Sequence, residues 1–323
     1  MVTTLVYKDN KLVAQNPPIE SLVTLRAEPG VILWVDLSEP TPAETQQVLE
    51  TTFAFHPLAI EDCVIDSPFP KLEEFDDYFY LVMHAVDYTR TESFTTTELD
   101  FFLGKNFLVT FHKKPLRPVQ AVQERYQKSS STLVRGPDRF AHVILDLMVE
   151  AYKPALDDLR DELESLEEAV LKDISADELF PRVIALRKTF SALRQIVRPQ
   201  REIVTTLSDG KSRLIRTVMV PYLRDLAEDL SRIETQASAW AEQLILSFRV
   251  YLNKSSHEAN DGIRVLTGIT ALTIPVLLLS GWFGMNFSHM HELEWKYGYV
   301  AATALVLTGT LGMLRFMRKR KWL

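Results

Sequence analysis

The chain has 323 residues, and its 36 lysines and arginines against 43 aspartates and glutamates give a formal net charge of −7. This acidic balance argues against nucleic acid as a partner and is compatible with cations as ligands. The single cysteine, Cys63, excludes an internal disulfide framework and a cysteine-based zinc site, and it fits a reducing compartment.

Residues 1–135 mix strand and helix periodicity and predict an α/β domain. Apolar or alternating runs predict strands at 4–7, 11–14, 31–37, 78–88, 99–103 and 107–112, and helical spacing predicts helices near 42–53, 57–63 and 119–128. Turn residues, Asp9-Asn10 and Gly104-Lys105-Asn106, separate the first two and the last two strands, so these strands are expected to pair as hairpins.

Residues 136–262 have helical periodicity and predict a stalk of long helices. Apolar side chains step by 3 and 4 in two successive segments, which predicts two helices packed antiparallel. These side chains are Leu156, Leu159, Leu163, Leu166 and Val170, then Val183, Leu186, Phe190, Leu193 and Val197. Ser175, with Glu178 three residues later, predicts a capping box at the start of the second helix. The opposite face of the first helix is crowded with carboxylates, a pattern typical of a solvated surface and less often of one that collects cations.

A third helical pattern starts after Gly210 and meets no proline between Pro221 and Pro275. If it is continuous from Pro221 to Trp282, the helix is about 93 Å long. No single small core can bury such a helix. It therefore needs partners along its length, either the preceding helix pair or copies of itself.

Two uncharged runs, 265–283 and 298–314, predict transmembrane helices. At ~1.5 Å per residue they extend roughly 28 and 25 Å, close to the hydrocarbon thickness of a bilayer. The predicted spans are 263–283 and 298–317, joined by a loop at 284–297 and followed by a basic tail at 318–323. Two helices cannot enclose a pore, so whatever crosses the bilayer must cross an oligomer.

The lysines and arginines near the helix ends predict the orientation. Basic residues precede the first span and follow the second, whereas the loop between the spans holds only Lys296. The positive-inside rule then places both termini in the cytoplasm. No apolar stretch follows Met1, so no cleaved secretory signal is predicted. No organelle transit segment is visible, so a bacterial or archaeal plasma membrane is the expected location, although a mature mitochondrial protein would look similar.

The tripeptide Gly284-Met285-Asn286 directly follows the first span. Alone it is a common helix stop, but at the end of the first of two C-terminal spans it is a specific signal. With residues 281–287, 290–293 and 319–323, and with the soluble stretches 55–62, 70–78 and 220–225, the chain resembles the CorA family of magnesium channels over almost its whole length.

The resemblance implies an α+β membrane protein with a cytoplasmic N-terminal α/β domain, a funnel of long helices and two C-terminal transmembrane helices. It implies a homopentamer in a lipid bilayer, with the first span lining an axial pore that takes up Mg²⁺ and also carries Co²⁺ and Ni²⁺. Because Mg²⁺ releases its waters reluctantly, a ring of five Asn286 carbonyls is expected to select the hydrated ion. Gly284 allows the backbone to turn where the helix ends, so that the carbonyls of Gly284 and of its neighbours can face the ion. Met285 completes this selectivity motif.

One face of the first span is predicted to line the pore. Its residues, the pore stripe, recur at intervals of 3 or 4 with Leu266 at the edge: Asn260, Ile263, Thr267, Thr270, Ile274, Leu277 and Gly281. By the resemblance, Asn260 meets hydrated ions at the cytoplasmic end, and Ile263 and Leu266 form an apolar constriction that gates by dewetting. Leu277 stands where some relatives carry a hydroxyl, which leaves the upper pore less wet.

The resemblance also implies a regulatory Mg²⁺ that holds the funnel closed. Asp225 matches the family's acid that shares this ion with an acid of the neighbouring subunit's α/β domain, and Asp87 lies close to the expected partner position. Arg90 beside Asp87 leaves open the alternative of a surface ion pair.

The loop after the motif holds a further set of candidate residues: His289, His291, Glu292 and Glu294. Glu292 matches the family's acidic loop residue, and a ring of five would raise the local cation concentration. His291 replaces the family's usual proline. Two histidines near two carboxylates suit a softer ion such as Zn²⁺, Ni²⁺ or Co²⁺, although surface histidines commonly bind nothing. The intact Gly-Met-Asn favours the magnesium branch.

Two other functions stay open, namely a proton-driven Zn²⁺ transporter of the sister branch and a membrane-anchored scaffold or sensor whose hairpin only assembles it. An enzyme is not expected, since the sequence lacks a Walker loop, a dinucleotide fingerprint, a nucleophile elbow and an HExxH helix. His56 and His112 lie within apolar segments and are predicted to be core residues rather than ligands.

Overall fold

The computed structural model describes residues 1–86, 95–128, 135–172, 175–285 and 295–320. The chain divides into two compact units, Met1–Leu246 and Ser247–Leu323. The first unit holds a mixed sheet and the helices that cover it. The second holds the end of one long helix and a further helix.

The described part of the first unit contains one seven-stranded sheet. Its strands are β1 (Val2–Lys8), β2 (Lys11–Gln15), β3 (Val31–Ser38), β4 (Lys71–Glu74), β5 (Tyr78–Val86), β6 (Thr96–Gly104) and β7 (Phe107–His112). The strand order is β2-β1-β3-β7-β6-β5-β4. The central strands β3 and β7 pair in parallel, and the other neighbours are antiparallel.

The helices follow in chain order. They are α1 (Leu22–Ala27), α2 (Pro42–Thr45), which continues as a π-helix (Gln46–Thr52), α3 (Pro57–Val64), α4 (Arg117–Lys128), α5 (Pro137–Glu150), α6 (Tyr152–Leu171), α7 (Ala176–Ser208), α8 (Val220–Phe283) and α9 (Gly298–Lys319). The predicted continuous third helix is confirmed, since α8 runs for 64 residues with Pro275 inside it.

The predicted strands are confirmed, and the turn chemistry explains the two hairpins. Asp9 and Asn10 have φ values of 53° and 63°, the left-handed conformation that a tight hairpin turn requires. At the β6–β7 turn, a Cβ on Gly104 would lie 2.2 Å from the Phe107 ring, so only glycine fits there. The predicted strand 78–88 is seen as far as Val86, where the described residues stop.

Three features were not predicted from the sequence. β4 is a short edge strand whose charged residues give no apolar alternation. α5 packs against β3, β5, β6 and β7 and is buried on most of its surface. It is therefore a core helix of the α/β domain rather than a stalk helix with one polar face. The predicted helix 42–53 forms, but its second half is a π-helix.

Each face of the sheet packs into its own hydrophobic core, because successive strand residues point to opposite faces. On β5, Tyr78, Tyr80 and Val82 enter the core that contains α3 residues, which we call the α3-side core. Phe79 and Leu81 enter the core that contains α5 residues, the α5-side core.

Helices α6 and α7 pack antiparallel, as predicted. Arg182 on α7 bonds Glu162 on α6 at 2.9 Å, while Gln200, further along α7, donates to the Tyr152 hydroxyl at the start of α6 at 2.9 Å. The predicted capping box at Ser175 is wrong. Ser175 is the N-cap of α7, but its side chain makes no capping hydrogen bond.

The first part of α8 takes the helix pair as its partner. Gln243 on α8 donates to Glu167 on α6 at 2.9 Å, and Arg201 on α7 pairs with Glu234 on α8 at 2.7 Å. Apolar residues of α8 from Leu223 to Leu244 are buried in the first unit. One of the two partners expected for the long helix is therefore found within the chain itself.

The two histidines predicted to be core residues behave differently. His56 is exposed, and its Nδ1 accepts a hydrogen bond from the Leu58 amide at the start of α3, so that prediction is wrong. His112 is buried, as predicted. Its ring nitrogens contact the Lys114 carbonyl at 2.6 Å and the Asp36 carboxylate at 3.2 Å. Burial by itself lowers the pKa of His112. The hydrogen bond with Asp36 and the charge of Asp36 raise this pKa, and together they outweigh burial, so the net shift is upward.

This buried pair predicts how stability depends on pH. Because the folded-state pKa of His112 is raised, its stabilisation is fully present below the unfolded-state pKa of about 6.5 and is lost as the pH rises through the folded value. We expect the thermal midpoint to fall as the pH rises from about 6.5 through the raised folded-state pKa of His112. Asp36→Asn should remove this part of the pH dependence and, by breaking a buried pair, lower stability at the acid end by on the order of 3 kcal/mol.

The control is Glu28→Gln, which removes the exposed Lys8–Glu28 pair at 3.1 Å and is expected to change stability by less than about 1 kcal/mol. Thermal unfolding of the purified wild type, Asp36→Asn and Glu28→Gln as a function of pH measures these effects. An Asp36→Asn profile parallel to that of the wild type would contradict the account.

Candidate ion pathway and regulatory acid

Two helices of the described residues are long and apolar enough to cross a bilayer. The most apolar windows of α8 and α9 have mean hydropathies of 1.9 and 1.6, and in each only 6 % of the window is buried. A helix of a soluble core with that hydropathy would be mostly covered by protein. These surfaces instead need lipid or other protein chains around them.

The residues predicted for the pore stripe all lie on α8 and are all exposed in the single chain. Ile263, Leu266 and Leu277 are exposed by 62 %, 66 % and 65 %, which is unusual for side chains of this size in a monomer. None of the stripe residues is covered by α9. The stripe is therefore a free apolar face interrupted by polar side chains.

The opposite side of α8 packs on α9. Gly268 is buried there, and Leu272, Pro275 and Leu279 are half-buried. A Cβ added to Gly309 of α9 would lie 3.5 Å from the Pro275 Cβ, so the two backbones approach closely at this point. This contact was not predicted, although Gly309, a small residue in the second span, was a sequence feature that could have indicated it.

The two threonines of the stripe have their hydroxyl protons engaged within the helix. Thr267 Oγ1 donates to the Ile263 carbonyl at 2.7 Å, and Thr270 Oγ1 donates to the Leu266 carbonyl at 2.9 Å. Each oxygen keeps lone pairs directed away from the backbone. An exposed hydroxyl in this state accepts hydrogen bonds, which suits the water shell of a cation.

The long helix ends directly before the predicted motif. α8 ends at Phe283, and the amides of Gly284 and Met285 donate to the carbonyls of Ser280 at 2.9 Å and Trp282 at 3.3 Å. A Cβ on Gly284 would lie 2.9 Å from the Ser280 carbonyl oxygen, so glycine is favoured at this position.

The remaining motif and loop residues, Asn286, His289, His291, Glu292 and Glu294, lie outside the described residues. The same holds for Asp87, the predicted partner of Asp225, and for Arg90. Their roles stay predictions.

Asp225 is exposed in the second turn of α8. Tyr222, one turn earlier, contacts the His142 ring edge-on at 5.6 Å and lies under the Arg139 guanidinium at 5.1 Å, so α5 fixes this turn of the helix. Burial lowers the pKa of His142, and the charge of Asp146 and, more weakly, that of Asp225 oppose this shift.

Arg216 fixes the approach to α8. Its amide and guanidinium donate to the buried Asp138 carboxylate of α5, at 3.0 Å and 2.5 Å. Among the described residues no group of three or more His, Cys, Asp or Glu side chains is arranged to hold a metal ion. Asp225 alone therefore needs a second ligand from elsewhere to retain a divalent cation.

The fold and the exposed spans define a membrane-integral protein with a soluble α/β domain, a long helix and a C-terminal helical hairpin. The family model described as CorA-like Mg²⁺ transporter protein matches residues 29–320. The chain therefore belongs to the CorA family, whose members transport metal ions and are not enzymes.

Individual relatives agree with this assignment. The chain is 30 % identical over 320 residues to the putative metal ion transporter YfjQ of Bacillus subtilis, covering 99 % of this chain and 97 % of the relative. It is 27 % identical over 307 residues to the cobalt/magnesium transport protein CorA of Thermotoga maritima, covering 94 % and 87 %. The complete structure of the CorA magnesium transporter from Methanocaldococcus jannaschii superposes with a TM-score of 0.80 at 19 % identity, covering 100 % of this chain and 99 % of the other, which shows a shared fold.

The contact between Gly309 and Pro275 predicts a size limit within the hairpin. Gly309→Ala should fit, since its Cβ would meet Pro275 at an ordinary contact distance. Gly309→Leu must push the helices apart, and we expect it to cost about 1–3 kcal/mol and to reduce metal-ion flux. Thermal unfolding and flux in proteoliposomes measure both effects. Equal behaviour of the two variants would show that the close approach is not needed.

Proposed function

We propose that the chain forms a homopentameric channel that takes up Mg²⁺, and also carries Co²⁺ and Ni²⁺, across the plasma membrane with both termini in the cytoplasm. The observation that carries the proposal is the pore stripe. α9 packs on the other side of α8 and leaves every stripe residue exposed. Copies of the same face, arranged around an axis, would cover each other's apolar residues and enclose a path.

The chemistry of the stripe suits a hydrated ion. Thr267 and Thr270 offer acceptor oxygens, and Asn260 adds an amide at the cytoplasmic end, so the waters of Mg²⁺ can be bound without being removed. Ile263 and Leu266 form apolar rings that close the path when they dewet. A ring of Asn286 at the mouth selects the ion, and a ring of Glu292 attracts it.

The position of Asp225 supports gating by cytoplasmic Mg²⁺ as part of the proposal. It is exposed at the start of the helix that continues into the span, and α5 holds that turn in place. An ion shared between Asp225 and an acid of the next subunit, for which Asp87 is the candidate, would hold neighbouring helices together. Loss of the ion would release them and let the apolar rings separate.

Flux through the mouth is the direct test. Proteoliposomes containing a Mg²⁺-sensitive dye should admit Mg²⁺ with the wild type. Asn286→Ala should reduce the rate at least about tenfold, which corresponds to a barrier to Mg²⁺ entry that is ~1.4 kcal/mol higher. Val265→Ala, an exposed apolar change away from the stripe, is the control and should conduct normally.

Repeating the measurement with Zn²⁺ at two pH gradients separates the alternatives. Zn²⁺ entry that follows the proton gradient, without Mg²⁺ entry, would move the protein to the zinc-transporting branch that His289 and His291 suggested. No flux of either ion would leave the scaffold or sensor function.

Removal of the regulatory acid should weaken closure. In the same liposomes we expect Asp225→Asn to raise the cytoplasmic Mg²⁺ concentration for half-maximal closure at least about tenfold, or ~1.4 kcal/mol per site. Asp229→Asn, one turn along α8, removes an acid that pairs with Arg232 and should leave closure unchanged. An unaltered closing concentration in Asp225→Asn would remove Asp225 from the regulatory site.

A further inference from the structure

A groove between α8 and α9 lies at the end of the hairpin that adjoins the loop 284–297. It has a volume of about 510 Å³. Val276 and Phe283 belong to its α8 wall, and Ala302 and Val306 belong to its α9 wall. No residue of the pore stripe lines it, and Asp225 is not part of it. The proposed channel function therefore leaves this groove without a role.

The groove lies on the side of α8 opposite the pore stripe. Val276 and Phe283 come nine residues after Thr267 and Ile274 of the stripe. Nine residues are about two and a half helical turns, so the two pairs point in opposite directions. In an assembly built around the stripe, the groove would therefore face outward, where the hairpin meets lipid.

The walls of the groove suit an apolar occupant. Two hydroxyl residues line it, but the Ser280 hydroxyl donates to the Leu277 carbonyl at 3.2 Å and the Thr303 hydroxyl donates to the Tyr299 carbonyl at 2.9 Å. Both protons are thus used within their own helices, as the interior of a bilayer requires. A hydrocarbon chain fits such walls better than a sugar or a nucleotide does.

The end of the groove next to the loop has a different chemistry. Lys296 is the only charged residue among the described ones that line the groove, and it lies beside Trp295 and Tyr299. Tyr299 is 86 % exposed. Tryptophan and tyrosine concentrate at the level of the lipid headgroups, so this end is expected at the membrane interface. From there the α8 wall extends roughly 10 Å, about a third of the hydrocarbon thickness.

The charge of Lys296 distinguishes the possible occupants. Neither α9 nor residues 265–283 contain an acidic residue. The spans of a second copy packed into the groove would therefore offer no carboxylate to the Lys296 ammonium. A lipid with a negatively charged headgroup offers both a phosphate for the ammonium and a chain for the apolar walls.

We propose that this groove binds one anionic phospholipid from the leaflet that adjoins the loop, with its phosphate on the Lys296 ammonium and an acyl chain between α8 and α9. Bulk lipid surrounds an acyl chain with equally apolar groups, so the walls alone give no preference among lipids. The preference for an anionic headgroup comes from Lys296. The site requires that the hairpin lies in a bilayer, but it does not depend on which ion the protein carries.

Native mass spectrometry of the full-length protein tests the headgroup contact. The detergent contains equal amounts of phosphatidylglycerol and phosphatidylcholine with the same acyl chains. Lys296→Gln should retain one phosphatidylglycerol per chain fewer than the wild type. We expect the affinity of this site to fall about fivefold, the factor that one lysine near an anionic surface contributes. Phosphatidylcholine retention should stay unchanged.

The matched control is Lys211→Gln, which changes an exposed lysine of the first unit and should retain the wild-type number. Basic residues at the other end of α9, such as Arg315 and Lys319, also attract anionic lipid. The site is therefore measured as the difference between variants. A loss of equal size in Lys211→Gln would overturn the proposal.

Filling the groove separates a built site from surface charge. Ala302→Phe places a ring between the two walls and should lose the same phosphatidylglycerol although Lys296 is kept. Ala304→Phe, an exposed position of α9 outside the lining, should retain it. Thermal unfolding shows whether both variants are folded. Lys296→Gln is an exposed change and decides the headgroup contact even if Ala302→Phe unfolds at a lower temperature.

Two results would overturn the proposal. Unchanged phosphatidylglycerol retention in Lys296→Gln would leave the groove to protein contacts or to lipid of any charge. A loss in Lys296→Gln with a folded Ala302→Phe unaffected would show that surface charge holds the lipid without the groove. The flux measurements on Asn286 are independent of either result.

Discussion

One constraint governs this molecule: a single helix of 64 residues must find a different partner in each part of its length. Its first part is covered by α6 and α7, with apolar contacts and with polar links from Glu167 and Arg201. Its last part packs on α9 along one side and leaves the pore stripe exposed. A surface of that size and apolarity is stable only in lipid or against other chains, so this part of the helix needs a membrane, or further protein chains, around it.

The start of this helix is fixed by polar contacts. The buried Asp138 binds Arg216 just before α8, and His142 and Arg139 of α5 hold Tyr222 in its first turn. α5 itself packs on the sheet, so the sheet, α5 and the beginning of α8 form one continuous set of contacts. A charge change at Asp225, the proposed regulatory acid, would therefore act next to a helix turn that contacts α5.

Much of the fold was predictable because it depends on local patterns. Apolar runs gave the two spans, alternation gave the strands, and the step of 3 and 4 gave α6 and α7. The predictions failed where contacts between residues distant in sequence decide the structure. β4 lacks apolar alternation because it is an edge strand, and His56 lies in an apolar segment yet caps α3 from the surface. The close contact between Gly309 and Pro275 was not predicted because these residues are far apart in sequence and meet only where α9 packs on α8.

The central claim is that the pore stripe of α8 faces water within an assembly while the rest of the span does not. Cys63 is the single native cysteine and is buried, so the labelling of an introduced cysteine by a membrane-impermeant thiol reagent is readily assigned. Thr270→Cys and Ile269→Cys place the thiol at the same depth on different sides of the helix. The account predicts rapid labelling of the first, slowed by Mg²⁺, and little labelling of the second. Equal labelling of both, or labelling of the second alone, would contradict it.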